Sequence, residues 1–179
     1  MNEKIEIRSE ENEGYTAKEA LKLAVAHMNV KTAHIISVIT LGDKRWDSES
    51  VLFVKMFLRF LHKNRGRVLL FAENTAMADK LEEHIAESHA RIRVVERATL
   101  EEHGVSDDKI LNQINGAEAE CIIASLPEEM EVQFLEKNRT ALDAKIWFSI
   151  GTHLKQKKQP SKLQGFLEKI LRHFTKKEI

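Results

Sequence analysis

Asp43 and Asp47 stand in a short polar stretch between an apolar run and an amphipathic one. A carboxylate in such a loop can act as a general base or simply face solvent. Glu128, Glu129 and Glu131 follow Pro127 at a helix start, where negative charge complements the helix dipole, so capping accounts for them. The eight histidines form no His-Glu-x-x-His pattern and no pair four residues apart. His84 and His89 diverge on a helix, so they read as surface histidines and no metal is expected. Cys121, the one cysteine, sits in the run Glu120-Cys-Ile-Ile-Ala-Ser, where it reads as a small buried apolar residue. A reactive thiolate would need a nearby cation or helix N-terminus. A lone cysteine also excludes an internal disulfide framework and a cysteine-cluster zinc site. Neither glycine-rich phosphate-binding pattern, G-x-G-x-x-G or G-x-x-x-x-G-K-[ST], occurs, so no cofactor held by those devices is expected.

The elements that must position these residues alternate in type. Thr16 is placed to cap a helix through about Asn29, with Glu19 as its capping-box partner. The β-branched run from Ile35 to Thr40 reads as a buried strand. Residues 41–47 are loop, and Ser48 or Ser50 opens a helix to about Lys63. Asn64-Arg65-Gly66 turns the chain into a strand over Val68–Ala72, after which Thr75 caps a helix to about Ser88. Arg91–Val95 is a weaker strand. Ser106 or Asp107 begins a helix ending at Asn115-Gly116, Glu120–Leu126 is a strand, Pro127 opens a helix to about Leu142, and Lys145–Ile150 is a last strand. Strands separated by helices of this length predict an α/β fold: a single Rossmann-like domain with a mostly parallel sheet flanked by helices. Ligands of such sheets bind outside the carboxyl ends of the strands. The candidate rim is therefore Thr40–Asp47, Glu73–Thr75, Ser125–Glu129 and Gly151–His153.

A chain of 179 residues with 42% hydrophobic and 31% charged residues is long enough and apolar enough for one self-sufficient core. Its 28 basic and 28 acidic residues cancel, which argues against a generally basic nucleic-acid binder. The charged start, Met1 to Arg8, lacks the apolar core of a signal peptide, and no run is long enough to span a membrane. A cytoplasmic location is expected, with contact to the inner membrane face left open. Residues 153–179 stand apart from the α/β domain of residues 1–152. They hold eight Lys or Arg against two Glu, and Leu163, Phe166, Leu167, Ile170, Leu171 and Phe174 fall on one helical stripe. This basic amphipathic helix can lie on an anionic membrane through Lys155, Lys157, Lys158, Lys162, Lys169 and Arg172, or pack its stripe on the parent domain.

The second half resembles the WecG/TagA/CpsF family of bacterial glycosyltransferases. The residues that carry the likeness are Arg67-Val-Leu-Leu-Phe-Ala-Glu73, Lys109-Ile-Leu-Asn-Gln-Ile-Asn115, Glu120-Cys-Ile-Ile-Ala-Ser-Leu-Pro127, Gln133-Phe-Leu-Glu-Lys-Asn-Arg139 and Lys145-Ile-Trp-Phe-Ser-Ile-Gly151. The resemblance implies transfer of an N-acetylhexosamine, of N-acetylmannosamine type, from a UDP-sugar to a polyprenyl-diphosphate-linked sugar in cell-surface polymer synthesis. The family's Pro-Lys-Gln-Glu signature is represented by Pro127 to Gln133, without its lysine. Thr40 answers to the start of an early Thr-x-Asn motif, and Arg45 to an arginine after the Asp-Gly segment. That segment, which carries the catalytic aspartate, is missing, leaving Asp43 and Asp47 as the nearest carboxylates. Gly151-Thr152 stands for a glycine pair. With the rim residues, the substrate-binding candidates are Thr40, Arg45, Glu73, Asn74, Ser125, Gln133, Gly151 and Thr152, and the helix starts near Thr75 and Pro127 are candidates for the diphosphate. The alternative is a non-catalytic relative serving as a binding or scaffolding subunit.

Overall fold

The computed structural model describes residues 3–7, 14–31, 35, 37–41, 46–103 and 107–152. Asp43, Arg45 and the basic segment from His153 onward lie outside the described residues. Six strands, β1 (Glu3–Glu6), β2 (Ser37–Thr40), β3 (Arg67–Ala72), β4 (Arg93–Thr99), β5 (Cys121–Ser125) and β6 (Ile146–Ser149), form one sheet in the order β1-β2-β6-β5-β3-β4. Every pairing is parallel. The connecting helices are α1 (Ala17–Met28), α2 (Ser48–Asn64), α3 (Thr75–Ser88), the single turn α4 (Leu100–His103), α5 (Asp107–Gly116) and α6 (Glu128–Asn138). The α/β architecture expected from the alternation of elements is the one observed.

Side chains alternate across the sheet and define two cores. Ile5, Ile39, Val68, Leu70, Cys121, Ile123, Ile146 and Phe148 face α1, α2 and α3; Val38, Leu69, Phe71, Ile122, Ala124 and Trp147 face α5 and α6. The strand order accounts for the division. Passage from β1 through β4 moves one way along the sheet and passage from β4 to β6 moves back, so right-handed crossovers lay the two sets of helices on opposite faces.

Local signals hold where the chain itself supplies the partner. The Thr16–Glu19 capping box forms, with the Thr16 amide donating to the Glu19 carboxylate at 2.9 Å. Arg65 takes a left-handed conformation at the end of α2, and a Cβ on Gly66 would meet a Leu61 methyl at 2.8 Å. Other ends shift. Asp47 rather than a serine caps α2, and Asn74 rather than Thr75 caps α3, its side chain accepting from the Met77 amide. The α5 helix includes Gly116, and the left-handed residue beyond it is Glu118. Helix α6 stops at Asn138, four residues early; Asn138 is buried and its side-chain amide donates to Asp107 at the start of α5. Strand β1 goes beyond the sequence reading; Ile5 is buried among its charged residues, and Ile7, just past its end, is buried two positions on.

Candidate functional site

Parallel strands leave all their carboxyl ends at one edge, and here that edge carries a row of hydroxyls. Thr40 pairs with Ser149, and Ala72 pairs with both Ser125 and Thr99, while Ser149 lies opposite Ala124, so four of the six strands close on Ser or Thr at this edge in two sets offset by one residue. Ser149 and Thr99 were not singled out from sequence. The signal was there: β2, β4, β5 and β6 each end in a hydroxyl residue after an apolar or mixed run.

Between β3 and β5 the exiting chains diverge, one into α3 on the first face and the other into α6 on the second, which is the geometry that opens a crevice. The two exits are tied at the base, where the Glu73 amide donates to the Ser125 carbonyl at 3.3 Å. The buried Ser125 hydroxyl donates to the Gly151 carbonyl at 3.0 Å, tying the exits of β5 and β6. Gly151 has φ 56°, a turn that a side chain would strain.

The structure therefore brings Thr40, Glu73, Asn74, Ser125, Gly151 and Thr152 to one edge. Gln133 is different: it lies on the exposed side of α6, within the helix rather than at its start. Asp47 reaches the edge, but its carboxylate accepts the Ser50 amide at 2.7 Å and is used as a helix cap.

The two helix N-termini at these diverging exits differ electrically. The first turn of α3 holds no acidic residue, whereas that of α6 holds Glu128, Glu129 and Glu131. An anion is thus favoured at α3 and opposed at α6. Glu131 corrects the reading of that trio as simple capping acids. It is buried, and its two carboxylate oxygens accept from Trp147 Nε1 at 2.5 Å and Ser149 Oγ at 2.7 Å. Position explains the difference: Glu128 and Glu129 face solvent, while Glu131 turns inward over β6.

Cys121 is fully buried, and burial pushes its thiol well above the usual range, in keeping with an inert core residue. His89 departs from a surface histidine. Its Nε2 is buried without a hydrogen-bond partner, and its ring lies 6.0 Å from that of His62. Burial, then the neighbouring His62 and His84, lower its pKa to about 4. Among the described residues no group of three His, Cys, Asp or Glu could hold a metal ion, and no helix is long and apolar enough to cross a membrane. Neither a protein-family model nor a curated protein sequence matches the chain.

Proposed function

We propose that the carboxyl edge binds the diphosphate of a UDP-N-acetylhexosamine, and that the chain is a glycosyltransferase-like protein of the WecG/TagA/CpsF kind acting toward a polyprenyl-diphosphate-linked sugar. The observation that carries this reading is the divergence of the chains leaving β3 and β5, with the first turn of α3, which holds no acid, at its side. Backbone amides of Thr75 and Ala76 suit phosphate oxygens there, and Thr40, Ser125 and Thr152 line the same edge. Inverting transfer also needs a base for the acceptor hydroxyl. Asp47 is committed to capping α2, which favours the second reading, a relative that binds the sugar nucleotide without turning it over.

A thermal-shift titration with UDP, UDP-N-acetylglucosamine and UDP-N-acetylmannosamine tests the common core of both readings. Ligand at about a hundred times its Kd adds roughly 2.7 kcal/mol, a rise in Tm of about 5–10 °C for a chain of this size. The exposed Ala76 supplies the control. Ala76→Asp places a charge that suits the helix start but repels a diphosphate, so the variant keeps its Tm and loses the ligand response. Binding followed by sugar transfer to a lipid-linked acceptor supports the first reading, and binding without transfer supports the second. A flat response to millimolar ligand rejects both.

A further inference from the structure

Charge is distributed unevenly over the helices. Together α1 and α2 carry Lys18, Lys22, Lys55, Arg59 and Lys63 against two acids, Glu19 and Glu49. Both acids are used in capping: Glu19 closes the box with Thr16, and Glu49 accepts the Ala17 amide at 2.6 Å. The other long helices reverse the balance, with ten acids against three lysines on α3, α5 and α6. A molecule whose charges sum to zero thus has one basic helix pair, on one face of its sheet.

On α2 the basic residues run beside half-buried apolar ones. Along α2, Leu52, Met56 and Phe60 recur every four residues, and Lys55, Arg59 and Lys63 recur in a parallel row three positions on. Leu52, Met56, Arg59 and Lys63 project away from Val54, Leu58 and Leu61, which anchor the helix in the core. Leu52, Met56 and Phe60 are half-buried because they pack against the core of this face, so the outer surface presents Arg59 and Lys63, with Lys18 and Lys22 on α1, all exposed and forming no ion pair among the described residues. Basic side chains of long reach on one exposed face are what an anionic headgroup layer attracts, since their charges can sit among the phosphates.

We infer that the outer face of α1 and α2 is a docking surface for an anionic phospholipid bilayer. This contact is separate from the basic segment beyond residue 152 and does not depend on the sugar-nucleotide reading. Attraction comes from the exposed basic residues and falls with salt. The acidic helices on the opposite face and at α3 set the orientation, because a negatively charged surface repels them.

The test is flotation of the full chain with vesicles of phosphatidylcholine alone or mixed with phosphatidylglycerol, at low and high salt. The expected result is binding only to the anionic vesicles, weakened by salt. Arg59→Gln with Lys63→Gln lowers the partition coefficient about thirty-fold. Both changes are at the surface, and an unaltered Tm verifies folding. The same pair is placed in a parent whose Lys155, Lys157, Lys158 and Lys162 are glutamine, where it has the same effect. Equal binding of parent and Arg59/Lys63 variants in both backgrounds overturns the inference, as does equal binding to zwitterionic vesicles. A dimer in solution that the Arg59/Lys63 changes dissolve would assign the face to a second copy and also overturn it.

Discussion

On the α1–α3 side the sheet closes over three phenylalanines, whereas on the α5–α6 side a carboxylate is sealed in beside a tryptophan. Phe53, Phe57 and Phe148 form a mutual cluster with ring centroids 5.3–5.7 Å apart. Across the sheet Trp147 packs edge-on to Phe71 and alongside Phe134, but its indole N–H is directed to Glu131. The first core is held by area and packing, which are non-directional. The second depends on a hydrogen-bond geometry that also fixes the exit of β6, because Ser149 shares the same carboxylate. Stability and the shape of the rim are thus separable properties of the two faces.

Three substitutions sharpen that contrast. Phe57→Ala empties part of the apolar cluster and costs about 3–5 kcal/mol, read by denaturant unfolding, without bearing on the rim. Trp147→Phe keeps most of the ring packing but removes a donor from a buried carboxylate, for about 1–3 kcal/mol. In a double-mutant cycle that cost shrinks when Glu131 is glutamine, because no buried charge is then left with a missing donor. Additivity of Trp147→Phe and Glu131→Gln would show that the hydrogen bond carries no coupling and that both faces are held by packing alone.

The smallest effect is a pH dependence on the α1–α3 side. His89 has a folded pKa near 4, below its unfolded value of 6.5, so folding favours the neutral ring. The stability this contributes is complete above pH 6.5 and is lost as pH falls from 6.5 through 4. Because the ring is partly open to solvent, the effect is discounted to roughly 1 kcal/mol. Thermal melts at pH 7.5 and 5 measure it, and His89→Gln flattens the difference.

Much of the fold was legible along the chain because strand and helix periods are local. The helices were anticipated wherever a cap and its partner lie within four residues, as at Thr16–Glu19. Strands β3, β5 and β6 were legible because both faces are buried and their sequences are almost wholly apolar. Strand β4 was read too short because its middle, Glu96 and Arg97, is charged; as an edge strand it can leave those side chains in water, with Arg97 paired to Asp79 and Glu82 on α3. At the candidate site, the rim loops were legible from topology rules, but Glu131 was not. Its neighbours Glu128 and Glu129 have the same side chain and the opposite surroundings.

Composition and periodicity by themselves determined an α/β chain with its candidate site outside the strand ends, since hydrophobic spacing and capping act over a few residues. Only the tertiary structure decided the strand order, and with it the divergence of the chains leaving β3 and β5, the pairing of Thr40 with Ser149 and of Ala72 with Ser125 and Thr99, and the partners of Glu131. Those features join residues as far apart as Thr40 and Ser149. Such pairings are chosen by the burial of two whole sheet faces at once, so no local stretch of chain contains them.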